Sequence, residues 1–133
     1  MYDVLIAVDD DETRATAQAR AVADLPGADE DLTAHLCHVF TDNPEGASVN
    51  QLAAVRRARE VLEDAGVPIA HHEASGDPGP EIVDAAADVD ADAICVSGRK
   101  RRPSGKAVFG SVTQDVILSS DLPVFTVPKP TPE

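Results

Sequence analysis

Tryptophan is absent from this 133-residue sequence, Tyr and Met occur once each and Phe three times. There is no broad aromatic platform on which nucleic-acid bases could stack in series. Cysteine occurs only as Cys37 and Cys95. Each sits inside an apolar run, without CxxC or His/Cys spacing, so both read as small buried hydrophobes and no metal or redox motif is expected. No apolar run approaches the ~18 residues that span a bilayer. Met1-Tyr2-Asp3 leads straight into a strand-like run with no basic segment before it, so no secretory signal is visible and a cytoplasmic location is expected. Positive charge is scarce too. Three lysines and eight arginines stand against 24 acids, giving a formal net charge of −13 and a pI near 4.5. Such a surface repels itself at low ionic strength and is relieved by salt, which points to a halophilic host; it also disfavours long-range attraction to RNA or DNA.

What is present fits one globular domain over residues 1–128, with residues 129–133 as a short tail. The run Val4-Leu5-Ile6-Ala7-Val8 is continuously apolar, as in a strand buried on both faces of a parallel sheet. Further runs lie at residues 34–40, 68–73, 93–96 and 123–127. Helical patterns fill the gaps. Ala15, Ala19 and Val22 mark a helix over about residues 12–24, with Asp10 or Asp11 as cap. Leu52, Val55, Ala58 and Leu62 mark another over residues 50–65, closed by Gly66. Pro80 opens a third with Ile82, Val83 and Ala86 inward. The last, residues 111–120, carries Val112, Val116 and Ile117 inward. The alternation predicts an α/β, doubly wound domain: a five-stranded, mostly parallel sheet with four helices. Its binding crevice belongs beyond the carboxyl ends of the strands, where residues 8–11, 38–40 and those after Val96 should meet. The stretch 41–48 reads as a surface loop over it.

The working end is expected in a loop from Ser97 to Ser111. Gly98-Arg99-Lys100-Arg101-Arg102-Pro103-Ser104-Gly105-Lys106 carries five basic side chains and no acid; without them the rest of the chain stands at −18. The loop leads into Gly110-Ser111 at a helix start, whose free N–H groups suit phosphate. A P-loop is ruled out, because Gly98 lies too far before Gly105 and Ala107 follows Lys106 where Mg²⁺ needs a hydroxyl.

At this point the chain resembles the universal stress proteins over nearly its whole length. The matching stretches are Asp3-Val4-Leu5-Ile6-Ala7-Val8-Asp9, Leu36-Cys37-His38-Val39, Gly76-Asp77-Pro78, Ala91-Asp92-Ala93-Ile94, Phe109-Gly110-Ser111-Val112-Thr113 and Leu122-Pro123-Val124-Phe125-Thr126-Val127-Pro128. The resemblance implies a Rossmann-like domain of the adenine nucleotide alpha hydrolase-like kind, a homodimer formed through the last strand, and one of two branches, of which one binds ATP. In the ATP-binding branch the pattern is G-x-x-G, nine residues, then G-[ST]. Counted back from Gly110-Ser111, the earlier glycines fall on Ser97 and Lys100, or, slid by one, on Gly98 and Arg101. On either count at least one glycine is replaced, which removes bare backbone from the phosphate cradle. The resemblance further implies that Asp9 contacts the nucleoside, with Ala7 beside it, and that Val39 and Val96 line the adenine pocket. Lys100, Arg101, Lys106, Gly110 and Ser111, with Ser97, Gly98 and Val112, would hold ATP or a related adenine nucleotide by its phosphates. Capping of the first helix is the other reading of Asp9.

The remaining groups read as structure. His71 and His72 point to opposite faces of a strand and cannot share a metal ion, and His38 reads as a packed strand histidine. Arg56-Arg57-Arg59 is a solvated helix face paired as Arg56–Glu60 and Arg59–Glu63. Ser104, Ser111 and Thr113 could accept phosphate, but no nucleophile–base–orienter set is readable and turnover is not expected. The function expected is a nucleotide-binding regulatory domain of the stress response. The alternatives are a dimeric signalling module without nucleotide and, less favoured, a polyanion-binding domain.

Overall fold

The apolar run at residues 4–8 forms the middle of the sheet. The structure, a computed structural model, describes residues 2–40, 52–101 and 107–128, and of residues 98–101 and 107–108 the backbone alone. Strand β1 (Tyr2–Ala7) has parallel neighbours on both sides, β2 (Leu32–Phe40) and β4 (Ala93–Arg101). Outside these lie β3 (Ile69–Ser75) against β2 and β6 (Val124–Pro128) against β4. The five parallel strands therefore run in the order 3-2-1-4-6.

Side-chain alternation along β1 assigns the two cores. Val4 and Ile6 pack with Ala15, Ala19 and Val22 of α1 (Glu12–Ala23) and with Val55, Ala58 and Leu62 of α3 (Ala53–Asp64). Leu5, on the opposite face, packs with Ile82 and Ala86 of α4 (Pro78–Asp88) and Val116 of α5 (Ser111–Ser119). A single turn, α2 (Ala28–Asp31), precedes β2; its N-cap Gly27 has φ 73°, which suits glycine. Gly66, also at positive φ, follows the C-cap of α3 as the sequence predicts. The helix predicted to open at Pro80 starts two residues earlier, with Pro78 in its first position.

Three local expectations are corrected. Where a loop is expected from Ser97, β4 continues to Arg101 and a two-residue strand, β5 (Ala107–Val108), pairs back on it antiparallel at Lys100 and Arg101. Backbone hydrogen bonds hold this ladder, and they leave no hydrophobic pattern to read. In α5 the buried stripe runs through Thr113 and Val116, leaving Val112 and Ile117 at its margins, each more than one-third exposed. Those two residues lie about 140° apart on the helix and cannot both face inward. The surface arginine pairs are Arg57 with Glu12 and Glu60, and Arg59 with Glu63, so Arg57 rather than Arg56 engages Glu60. The loop at 41–48 and the tail at 129–133 lie outside the described residues.

Candidate functional site

Past Ile6 and Cys95 the two central strands part. Their parallel ladder joins Val4 to Ala93, Leu5 to Ile94 and Ile6 to Cys95. Beyond it β1 stays with β2, Ala7 opposite Cys37, whereas β4 stays with β6, Val96 opposite Thr126 and Ser97 opposite Val127. This fork is the switch point of strand order, the place where open α/β sheets receive ligands.

Asp9 stands just beyond the β1 arm. One of its carboxylate oxygens accepts the N–H of Asp11 at 2.9 Å and the other accepts from Arg14 Nη1 at 3.0 Å. The N-cap of α1 is Asp11, which accepts from the N–H groups of Thr13 and Arg14. Asp9 is thus spared from capping the helix, and its side chain keeps 46% of its surface exposed while Arg14 holds it. Across to β2, His38 Nδ1 lies 2.7 Å from the carbonyl of Val8 and its ring meets Phe40 edge-on. The Nδ1 proton of a neutral ring therefore points to that carbonyl, tying the β2 end to the β1 end. Val39 and Val96 are both closed to solvent in the core under α4 and α5, and Ala7 packs partly against the same cluster.

The β4 arm leads to the start of α5. Ser97 donates its hydroxyl to the carbonyl of Val127 at 3.3 Å, and its own carbonyl accepts the Thr113 hydroxyl at 2.6 Å. Thr113 is buried and its hydroxyl committed, so the expectation that it could take up a phosphoryl group does not hold. Gly110 is the N-cap of α5 and supplies no side-chain cap. A Cβ built there would meet nothing within 4 Å, and Ser111 and Val112 are exposed beside it. Among the described residues, then, nothing packs on the Cβ side of Gly110, and no side chain caps the first-turn N–H groups of α5. Gly98, Lys100 and Arg101 lie on the extension of β4, their side chains outside the described residues, as are Lys106 and Ser104 altogether. Sequence reasoning brings Ala7, Asp9, Val96, Ser97, Gly110 and Ser111 to one end of the sheet, as found; it did not find Arg14 or Gln18.

Neither cysteine offers chemistry. Burial pushes the Cys95 thiol up to about 12 despite the opposing influence of the Gln18 amide, and burial with the Glu81 carboxylate pushes Cys37 up to about 11. Among the described residues no cluster of three or more His, Cys, Asp or Glu could hold a metal, and no helix is long and apolar enough to cross a membrane. A groove of about 580 Å³ lined by Glu12, Thr13, Thr16, Ala17, Arg20 and Arg57 includes none of the fork residues.

The class these strands and helices define is a doubly wound α/β domain whose strand order switches at the fork. The universal stress protein family profile matches residues 1–128, and the chain belongs to that family. Among solved structures it is similar to a universal stress protein from Archaeoglobus fulgidus, at 29% identity and a TM-score of 0.76, over 96% of this chain and 98% of that one. A structure of a universal stress protein from Archaeoglobus fulgidus in complex with dAMP matches at 24% identity and TM-score 0.72, over 96% and 98%. A universal stress protein in complex with cAMP matches at 22% identity and TM-score 0.73, over 97% and 98%. These two likenesses speak to the fold. No curated protein matches the chain by sequence.

Proposed function

We propose that this universal stress protein binds an adenine nucleotide in the fork and acts as a regulatory domain in the stress response. The observation that carries the reading is the first turn of α5, uncapped among the described residues and fixed to the β4 arm through the Thr113–Ser97 bond. A helix start of this kind favours an anion, and the basic stretch from Arg99 to Lys106 adds charge of the right sign. Asp9 stands on the other arm, where a carboxylate can take a hydroxyl or amino donor of a nucleoside. Complexes of structural relatives with dAMP and cAMP support the ligand class. Lys100, Arg101, Lys106, Gly98, Gly110, Ser111 and Val112 are assigned to the phosphates, with Asp9, Val39 and Val96 on the nucleoside side. ATP is the candidate with the longest phosphate chain.

Calorimetric titration with ATP, AMP and cyclic nucleotides in molar KCl, with acid extraction of any nucleotide that co-purifies, tests the proposal. Saturable binding at one site per chain, weakened markedly in Lys100→Ala/Lys106→Ala, is the expected result. No binding and no extracted nucleotide refutes it and favours the second reading, a dimeric interaction module. That reading draws on the replaced glycine and on the exposed apolar side chains of Phe125 on the edge strand β6 and of Ile117 and Leu118 on α5, the last 83% exposed. The same edge supports a homodimer through β6, whose ladder partner among the described residues is β4 alone. The net charge of −13 supports a high-salt setting, and a melting temperature that does not rise with KCl would refute it.

A further inference from the structure

Gln18 is fully buried in α1, against a core of Val, Ala, Leu and Ile side chains with Cys95. Its Nε2 lies 2.8 Å from the carbonyl of Ala7 and 3.3 Å from the carbonyl of Cys95. These are the residues at which the β1–β4 ladder gives out: Ile6 faces Cys95 in the last pair, and Ala7 has no partner on β4. Two carbonyls converging on one group require a donor there, which fixes the amide with its nitrogen toward the fork. Its oxygen, Oε1, has no partner among the described residues. An orphaned buried acceptor opposes stability and offsets part of what the two bonds contribute, so the amide is a costly way to fill a site that a leucine of similar volume would also fill. What the amide supplies and leucine cannot is a geometric constraint across the two arms.

We infer that Gln18 is a positioning residue that clasps the arms of the fork and sets its width for the nucleotide. This inference rests on the proposed function for its ligand, although the clasp can be tested without one. Asp9 stands two residues beyond Ala7, and Ser97, which anchors α5 through Thr113, stands two beyond Cys95. The two ends of a bound nucleotide would thus be held by groups whose separation one side-chain amide controls. Small errors in such separations are costly, because each contact on a rigid ligand depends on the others being in place.

Two variants and the wild type test the clasp, with AMP as the probe. Gln18→Leu leaves the Ala7 and Cys95 carbonyls without their side-chain donor and should melt several degrees lower yet stay folded, while AMP binds about tenfold more weakly, the loss of one well-placed hydrogen bond. Gln18→Glu should bind poorly at pH 8, where a carboxylate faces two carbonyls. It should recover toward wild-type affinity as the pH falls and the acid can donate its O–H to Ala7. Because a buried carboxylate also lowers stability at high pH, the affinity is read only where circular dichroism shows the variant folded. In the unliganded wild type, the Gln18 side-chain amide protons should exchange at least tenfold more slowly than those of exposed Gln114. Backbone amide shifts of Asp9, Val96 and Ser97 should move in Gln18→Leu. Unmoved shifts or fast Gln18 exchange would overturn the clasp whether or not nucleotide binds. Unchanged AMP affinity in Gln18→Leu would overturn its role in the site. A wild type that ignores AMP while exchange and shifts behave as expected would refute the nucleotide and leave the clasp standing.

Discussion

Replacing Thr113 by valine isolates one hydroxyl. The two side chains share shape and β-branching, so backbone preference and packing change little. What is lost is the 2.6 Å hydrogen bond to the carbonyl of Ser97, at the short end of the O–H···O range. Thr113 is 5% exposed, so water cannot readily take the hydroxyl's place, and the carbonyl is left facing a methyl group. The cost of such an orphaned acceptor is about 1–3 kcal/mol. With an unfolding entropy of about 2.1 cal/mol/K per residue, the 133-residue chain should melt about 4–10 °C lower. Thr113→Ser keeps the bond and gives up one methyl group, at about 1 kcal/mol. Urea melts of the three proteins, read by circular dichroism and checked for a single transition, give the comparison directly. Because the bond sets where α5 begins, Thr113→Val should also weaken nucleotide binding more than Thr113→Ser does. A valine variant as stable as the wild type would refute the reasoning and free the hydroxyl for another role.

Other consequences can be measured on the same footing. A Cβ at Gly79 would lie 2.7 Å from Cβ of Asp115, where α4 meets α5. Gly79→Ala should therefore cost about 1–3 kcal/mol in forced displacement, less the ~1 kcal/mol that alanine gains in a helix; a rise in melting temperature would contradict that contact. His72 is held below the ordinary histidine value by burial and by the neighbouring His35 and His71, and it shares a 2.9 Å contact with His35, which in turn bonds Asp3. The unfolded chain then binds more protons than the folded one just below the ordinary value of about 6.5, so this stability is present above that pH and is lost as pH falls. His72→Gln should flatten the decline in urea stability between pH 7.5 and 5.5, and parallel pH slopes for the two proteins would refute the assignment. Cys37 and Cys95, raised to about 11 and about 12, should resist iodoacetamide at pH 8 until the chain unfolds. Labelling at the rate of a free thiol would contradict their burial.

The sheet was legible because burial on both faces leaves an unmistakable mark: Val4, Leu5 and Ile6 are all closed to solvent, and so are Ala93 to Val96. The stripe of α3 was equally plain, since Val55, Ala58 and Leu62 occur where a helix would bury them. The C-terminal end of β4 was not, because Arg99 to Arg101 form strand through backbone pairing while their side chains spell a charged loop. The candidate site was read by its location more fully than by its contacts. Asp9, Ser97 and Gly110 follow from where strands end and a helix begins. The partners that hold them, Arg14 and Thr113, depend on how α1 and α5 dock, and a polar residue turned inward looks the same in sequence as one turned out. Gln18 is the plainest instance, a glutamine in the helix stripe that packs on the sheet.

The strand order has a consequence for biosynthesis. β1 precedes every other strand in the chain yet occupies the centre of the sheet, and its second neighbour, β4, begins 86 residues after β1 ends. At the speed of a ribosome that interval lasts of order ten seconds, during which the most apolar strand of the protein has one side of its backbone unsatisfied. The arms of the fork are completed by elements from opposite ends of the domain, so no nascent chain short of α5 can carry the site. Ligand added to a translating extract should accordingly act on finished chains, and protection of the early strand during synthesis falls to whatever attends the ribosome.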